Sequence, residues 1–292
     1  MKRQYNAEER LGWLLCAPAV LAMLLVTAYP MIYALWLSLF RYDLRFPDQR
    51  SFVGLANYAS VLTSEVWWQS VLNTLVITLG SVSIELVLGM ALALLMHRAI
   101  FLRRTLRASI LVPYGIITVV AALAWKFAFD PVTGFVNPLL GVDHAWLAER
   151  WSAFLVIILT EVWKTTPFMA LLLLAGLTLV PEDLLKAARV DGATPTQRFF
   201  RVTLPLMKPA ILVALLFRTL DAFRIFDAVY LQTRGAAGTE TVSIVGYHAL
   251  ITRLNLGLGS AVSVLIFLCV VVIAVLFVKG FGTHLARRED EP

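Results

Sequence analysis

Lys186 to Pro209 read KAARVDGATPTQRFFRVTLPLMKP, a polar, basic island between two long apolar runs. Just ahead of it, Pro181 followed by Glu182 and Asp183 predicts a helix start, with proline in the first turn and acids on the positive end of the helix dipole. Lys186 and Arg189 follow toward the negative end, and Gly192 suits a left-handed C-terminal cap. Thr194, Pro195 and Gln197 then supply an N-cap, an N1 proline and a capping-box partner at N3. Pro205 and Pro209 are expected to end this second helix. Ala187 and Ala188 leave one face nearly bare, open to a close approach, while Phe199 and Phe200 offer apolar anchors. The expectation is a helix, a turn and a helix lying parallel to a membrane surface and docking a partner; an amphipathic hairpin resting on lipid is the plainer alternative.

Composition sets the rest of the frame. Of 292 residues 60% are hydrophobic and only 15% charged, and the mean hydropathy of +0.80 is too high for a soluble globule of this size. Apolar runs at 11–39, 71–96, 109–129, 151–179, 210–232 and 256–281 each approach or exceed the roughly 20 residues a helix needs to cross a bilayer. A membrane β-strand needs only about 10 residues of alternating pattern, so these runs predict six helices, which satisfy their own backbone hydrogen bonds in lipid. The fold class is therefore all-α integral membrane, one transmembrane domain over 1–292 with a polar loop at 181–209.

Cations place the loops. With the N-terminus cytoplasmic, Lys2, Arg3, Arg10, Arg98, Arg103, Arg104, Arg107, the island's Lys186, Arg189, Arg198, Arg201 and Lys208, and Lys279, Arg287 and Arg288 all fall inside. Only Arg41, Arg45, Arg50, Arg150, Arg234 and Arg253 fall outside, so both termini and the island are expected on the cytoplasmic face. This topology accounts for the net charge of +6, and no basic patch on a polar domain points to nucleic acid as a partner. The first apolar run is too long for a cleaved signal peptide and no small-residue cleavage pattern follows it. Leu14 and Leu15 before Cys16 do not suit a lipoprotein site, and Cys16 with Cys269, both in apolar runs, implies neither a disulfide framework nor a metal site.

Catalytic signatures are missing from the sequence: no GxxxxGK[ST] loop, no HExxH, no GxSxG, and four scattered histidines. If the protein pumps, its energy comes from ion coupling or from a partner. Inside the predicted spans, however, stand Glu85, Glu161, Lys164, Arg218, Asp221, Arg224 and Asp227. Each costs about 2.5 to 3.5 kcal/mol at mid-bilayer, so each requires an explanation. Glu161 with Lys164, Arg218 with Asp221, and Arg224 with Asp227 are three apart, the spacing of helical pairs. Three residues turn a helix by about 300°, so the charges from Arg218 to Asp227 wind around the fifth span rather than forming one stripe. Glu85 has no partner at helical spacing and is expected to pair with another span.

The island resembles the cytoplasmic "EAA" signature of permease subunits of binding-protein-dependent ATP-binding cassette importers. Two alanines (Ala187, Ala188), a glycine four residues on (Gly192), nine residues, an aliphatic (Val202), one residue, then Leu204 and Pro205 reproduce its spacing. Asp191, Gly192 and Ala193 give the Asp-Gly-Ala of the carbohydrate branch, whereas Lys186 stands where the family usually has glutamate. Similarity extends along the chain: Pro18, Tyr29, Pro30 and Ser38; FVGLANY at Phe52 to Tyr58; Arg107, Pro113, Trp125, Phe129, Gly134 and Asn137; Trp163 and Pro167; Phe226, Asp227, Tyr230 and Thr233. At Gly235, Ala236 and Ala237 the family often has Gly-Gly-Pro, and a looser external turn is expected.

The resemblance implies a type I importer permease of the maltose and glycerol-phosphate branch, placed in the cell membrane. It implies pairing with a second homologous permease, two cytoplasmic ATPase subunits and an extracytoplasmic solute-binding lipoprotein. No cofactor is expected on this chain, ATP and Mg belonging to the ATPase partners. Lys186, Ala187, Ala188, Asp191, Gly192, Ala193, Phe199, Leu204 and Pro205 become ATPase-coupling residues. By position in the spans before and after the loop, Glu161, Lys164, Thr165, Phe168, Arg218, Asp221, Ala222 and Ile225 become candidates for the substrate path. The implied solute is a sugar, with the chain as a whole most similar to the first permease of mycobacterial-type trehalose importers. Glycerol phosphate or an oligosaccharide is the alternative solute, and a secondary transporter the alternative class, although no internal repeat is visible.

Overall fold

The computed structural model describes residues 2–98 and 103–286, with side chains described over 13–98 and 104–280. The chain forms two compact units, one made of 1–64 and 246–265, the other of 65–245 and 266–292. In the first, α1 (Lys2–Met23), a π turn over Leu24–Ala28 and α2 (Tyr29–Ser38) make an apolar rod. The wide turn, in which the Tyr29 N–H reaches the Leu24 carbonyl, sits where Pro30 removes a backbone donor. None of the most apolar stretch within Trp13–Ser38 is buried, as suits a surface whose solvent is lipid.

After the rod, β1 (Phe40–Arg41) pairs antiparallel with β2 (Ser51–Phe52), and α3 (Ala56–Leu62) follows. Asn57 in the FVGLANY stretch donates from Nδ2 to the carbonyls of Ser38 (2.7 Å) and Phe40 (2.9 Å), satisfying acceptors freed where α2 ends. The Gly257 N–H donates to the Tyr42 carbonyl at 3.1 Å, and a Cβ there would strike the Phe40 carbonyl.

The second unit contains α4 (Glu65–Arg98), α5 (Arg103–Gly115), α6 (Thr118–Ala128), α7 (Val136–Leu140) and α8 (Arg150–Thr178). It continues through α9 (Glu182–Val190), α10 (Pro195–Arg198), α11 (Leu204–Leu206), α12 (Lys208–Ala222) and α13 (Asp227–Gln232). Two further helices, α14 (Val242–Tyr247) and α15 (Leu256–Ala286), carry residues of both units. At its centre α4 lies along α8, and both pack against α12. Small residues allow this: a Cβ on Gly89 would sit 2.7 Å from Met169 Cγ, and one on Gly176 would collide with Ala210. Lipid tails are as apolar as Leu, so such close packing is what holds helices together in a membrane. Met90, Ala93, Met96, Met169 and Leu173 fill the shared core.

Four continuous helices are long and apolar enough to cross a membrane, and two bent pairs raise that to as many as six among the described residues. The third apolar run is not one straight rod: α5 and α6 meet at 85°. Pro113 and Gly115 weaken the helix there, and Ile117 takes an extended conformation (φ −57°, ψ 133°). In the fifth run α12 stops at Ala222, and α13 begins only at Asp227.

The polar island folds as its caps require. Gly192 is left-handed (φ +80°), with its N–H on the Arg189 carbonyl (3.1 Å) and the Ala193 N–H on the Ala188 carbonyl (2.9 Å). These two bonds make a Schellman motif. Thr194 and Gln197 close a reciprocal capping box, Gln197 N–H to Thr194 Oγ1 at 3.3 Å and Thr194 N–H to Gln197 Oε1 at 2.9 Å. Pro205, expected to end this helix, does not. A π turn over Phe199–Thr203 widens the coil ahead of it, α11 runs through it, and the chain bends by 67° only at Met207.

The turn at Gly235, expected to be loose, is instead pinned. Arg234, Gly235, Ala237 and Gly238 are all left-handed, and Asn73 on α4 donates to the carbonyls of Gly238 (2.9 Å) and Glu240 (2.8 Å).

Candidate functional site

One buried cation organises the middle of the second unit. Arg218 on α12 has no exposed surface, and its guanidinium forks onto Glu85 of α4, Nε to Oε2 at 2.6 Å and Nη2 to Oε1 at 3.0 Å. Its Nη1 donates to Asp221, and its Nη2 lies 3.8 Å from Glu161 Oε2 on α8. The Thr165 hydroxyl stands 2.8 Å from Glu85 Oε1. Three helices are thus tied by one guanidinium whose planar fork matches a carboxylate. Glu85 pairs with another span, as expected, and Arg218 pairs with Asp221.

The other expected pairs do not form. Lys164 turns away from Glu161 and donates to the Ile116 carbonyl at 2.8 Å, in the break between α5 and α6. No ion pair joins Arg224 to Asp227 among the described residues, and Arg224 Nε donates instead to the Leu220 carbonyl at 3.3 Å. Helical spacing permits a pair, but competing backbone acceptors decide it, on another element for Lys164 and on the preceding turn for Arg224.

Beside this network opens a cleft of about 470 Å³ lined by Glu161, Lys164, Thr165, Asp221 and Ile225, together with Tyr114, Thr118, Arg224, Phe226 and Asp227. Glu161 and Asp221 present carboxylates to it, Asp221 with most of its side chain exposed and Glu161 at the cleft's floor. Arg218 and Ala222 are buried behind this lining, and Phe168 stacks on Tyr114 with ring centroids 5.5 Å apart. The sequence expectation missed Tyr114 and Thr118, which flank the break in the third run. Pro113 and Gly115 within an apolar stretch were the signal that could have found them.

On the island, Lys186 folds back onto its own helix, 3.2 Å from Asp183 Oδ1 and 3.8 Å from Glu182 Oε2. Ala187, Asp191, Gly192 and Pro205 are exposed, Ala188 and Ala193 half-buried. Phe199 and Leu204 pack inward against the core, so Phe199 is not free as the sequence suggested, whereas Phe200 is exposed.

Residues 85–291, which include Glu85, every residue lining the cleft and the whole island, match the family described as binding-protein-dependent transport system inner membrane component. The chain belongs to that family. This permease is 55% identical to the trehalose transport system permease protein SugA of Mycobacterium tuberculosis, over 94% of this chain and 90% of that one. It is 40% identical to the trehalose/maltose transport system permease protein MalF of Thermococcus litoralis, over 93% of this chain and 94% of the relative. Its fold is that of a chain in the crystal structure of a bacterial ABC transporter involved in the import of the acidic polysaccharide alginate, with a TM-score of 0.79, 23% identity, and 99% and 100% of the two chains covered. The permease is accordingly a membrane-embedded transport component.

Proposed function

We propose that this permease carries a sugar, most specifically a disaccharide such as trehalose, as the pore-forming subunit of an ATP-driven importer. The observation that carries the reading is the cleft in which Glu161 and Asp221 face open space beside the aromatic ring of Tyr114. Carboxylates accept hydrogen bonds from sugar hydroxyls, and an aromatic face packs on a pyranose ring. Identity of 55% to a relative named for trehalose transport supports the choice of sugar.

In this reading a binding protein delivers solute from outside, a second permease completes the pore, and two ATPase subunits, which hold ATP and Mg, hydrolyse nucleotide. The permease itself performs no catalysis. The island, on the cytoplasmic face, is the coupling element: Ala187, Asp191, Gly192, Phe200 and Pro205 offer the exposed contact surface, while Phe199 and Leu204 tie it to the bundle. A ligand can shift a two-state equilibrium only by its difference in affinity for the two states, so the ATPase contact must discriminate inward-open from outward-open by a few kcal/mol. A two-helix element rigidly capped at its joint suits that demand.

The test is uptake of radiolabelled trehalose into proteoliposomes containing the complete complex with its binding protein and ATP. Saturable, ATP-dependent uptake of trehalose, outcompeting glycerol phosphate and longer oligosaccharides, is expected. Transport of one of those competitors in its place overturns the sugar assignment, and uptake by this chain alone under an ion gradient overturns the importer assignment.

A further inference from the structure

The break in the third apolar run leaves backbone carbonyls without helical N–H donors, beside a cleft that Tyr114 and Thr118 line. Tyr114 and Ile116 lie where α5 ends and before α6 begins, and no side-chain cap is formed by Ile117 at the start of α6. Only one cation reaches this gap among the described residues. Lys164 donates from Nζ to the Ile116 carbonyl at 2.8 Å and lies 3.5 Å from that of Tyr114. The same ammonium sits 5.8 Å from the centroid of the Tyr114 ring, which also stacks on the Phe168 ring at 5.5 Å. A positive charge at a helix C-terminus also meets the negative end of the helix dipole.

We propose that Lys164 is a positioning residue for transport: it holds the 85° bend between α5 and α6 rather than binding solute. Its ammonium replaces helix hydrogen bonds lost at the break, and its stem and Phe168 keep Tyr114 on the cleft wall. Glu161, three residues earlier on α8, is thereby left without the lysine as a partner and stays available to the cleft. The bend and the cleft are thus fastened by one side chain of α8, and a rearrangement of α8 during the transport cycle changes both together. This inference rests on the transport reading above, but its structural half does not depend on which solute is carried.

The experiment uses the complete reconstituted complex with Cys16 and Cys269 replaced by serine. Spin labels at the exposed positions Val112 and Val119, on either side of the bend, report its geometry by pulsed dipolar spectroscopy. Wild type should give one narrow distance distribution, Lys164→Met a shifted or broadened one, and Lys164→Arg should restore it. In uptake assays Lys164→Met should lower maximal velocity about tenfold, the scale of one lost hydrogen bond to a charged group. The half-saturating concentration should change less than twofold, and Lys164→Arg should recover at least half the velocity. An unchanged distance distribution in Lys164→Met overturns the positioning role, and so does a raised half-saturating concentration at unchanged velocity, which marks direct solute contact. Failure of wild type to carry trehalose counts against the solute assignment alone, because the distance measurement stands without it.

Discussion

Arg218 and Glu85, 133 positions apart in sequence, share two hydrogen bonds, from Nε at 2.6 Å and from Nη2 at 3.0 Å, with neither side chain exposed. A guanidinium taken this far from solvent is tolerated only while its counter-charges remain, so the pair fixes how α12 seats against α4. Glu85→Gln should destabilise the folded permease by roughly 3 kcal/mol, the lower part of the range for an uncompensated buried charge, since Asp221 stays in place. The measurement is the unfolding midpoint of the purified complex in detergent. Replacing both partners, Glu85→Leu with Arg218→Met, should be milder than Glu85→Gln alone; equal or greater loss shows that the ion pair is not the cause.

Glu161 has no such lock, its nearest cation being Arg218 Nη2 at 3.8 Å. Glu161→Gln keeps the shape of the cleft and removes its charge. On the proposed function, uptake affinity should weaken by about five- to tenfold, the scale of a charge-assisted hydrogen bond against a neutral one. Solute affinity of the separate binding protein should stay the same. Unaltered uptake kinetics would remove Glu161 from the solute path.

Gly192 separates strain from crowding, because no atom lies within 4 Å of where its Cβ would be while its φ is +80°. Gly192→Val therefore meets no clash but costs about 1–2 kcal/mol of left-handed backbone strain. If the island couples ATP hydrolysis to transport, Gly192→Val should lower sugar uptake per ATP hydrolysed, and Gly192→Asn, which tolerates that conformation, should stay near wild type. Identical coupling ratios in all three proteins exclude the assignment.

The solvent-exposed hairpin after α2 supplies a pH prediction. Arg45 donates to Asp43 from Nε at 2.9 Å and from its backbone N–H, also at 2.9 Å, and these bonds hold the Asp43 carboxyl down at about 2. A carboxylate depressed in the folded state contributes its stabilisation above its unfolded value, about 3.9, and loses it as pH falls through the folded one. Asp43 should stay ionised at pH 4 and protonate only near pH 2, read by infrared bands of isotope-labelled aspartate with Asp43→Asn as the reference. Protonation at pH 4 contradicts the pairing.

The backbone caps of the island were legible in the sequence, whereas the partners of most charged side chains in the spans were not. The left-handed Gly192 and the capping box of Thr194 and Gln197 follow from residues within a few positions of each other, where spacing determines contact. For Glu85 the sequence demanded a partner but could not supply its identity, since Arg218 reaches it only after α4, α8 and α12 have packed. The break at Gly115 was masked by the apolarity of its neighbours, which scores length and not continuity. Phe199 and Phe200 both read as free anchors, but Phe199 opens the π turn and packs against the core while Phe200 stays exposed, a difference that a regular helical phase does not predict.

The joint between α9 and α10 is held by backbone and side-chain bonds on both sides. Between Ala188 and Gln197 the two Schellman bonds and the two capping-box bonds leave few free dihedrals. Such a joint is an elbow of low compliance. On the proposed coupling role, a push on either helix is passed on as rotation of the pair, and the next change of direction along the chain is the 67° corner at Met207.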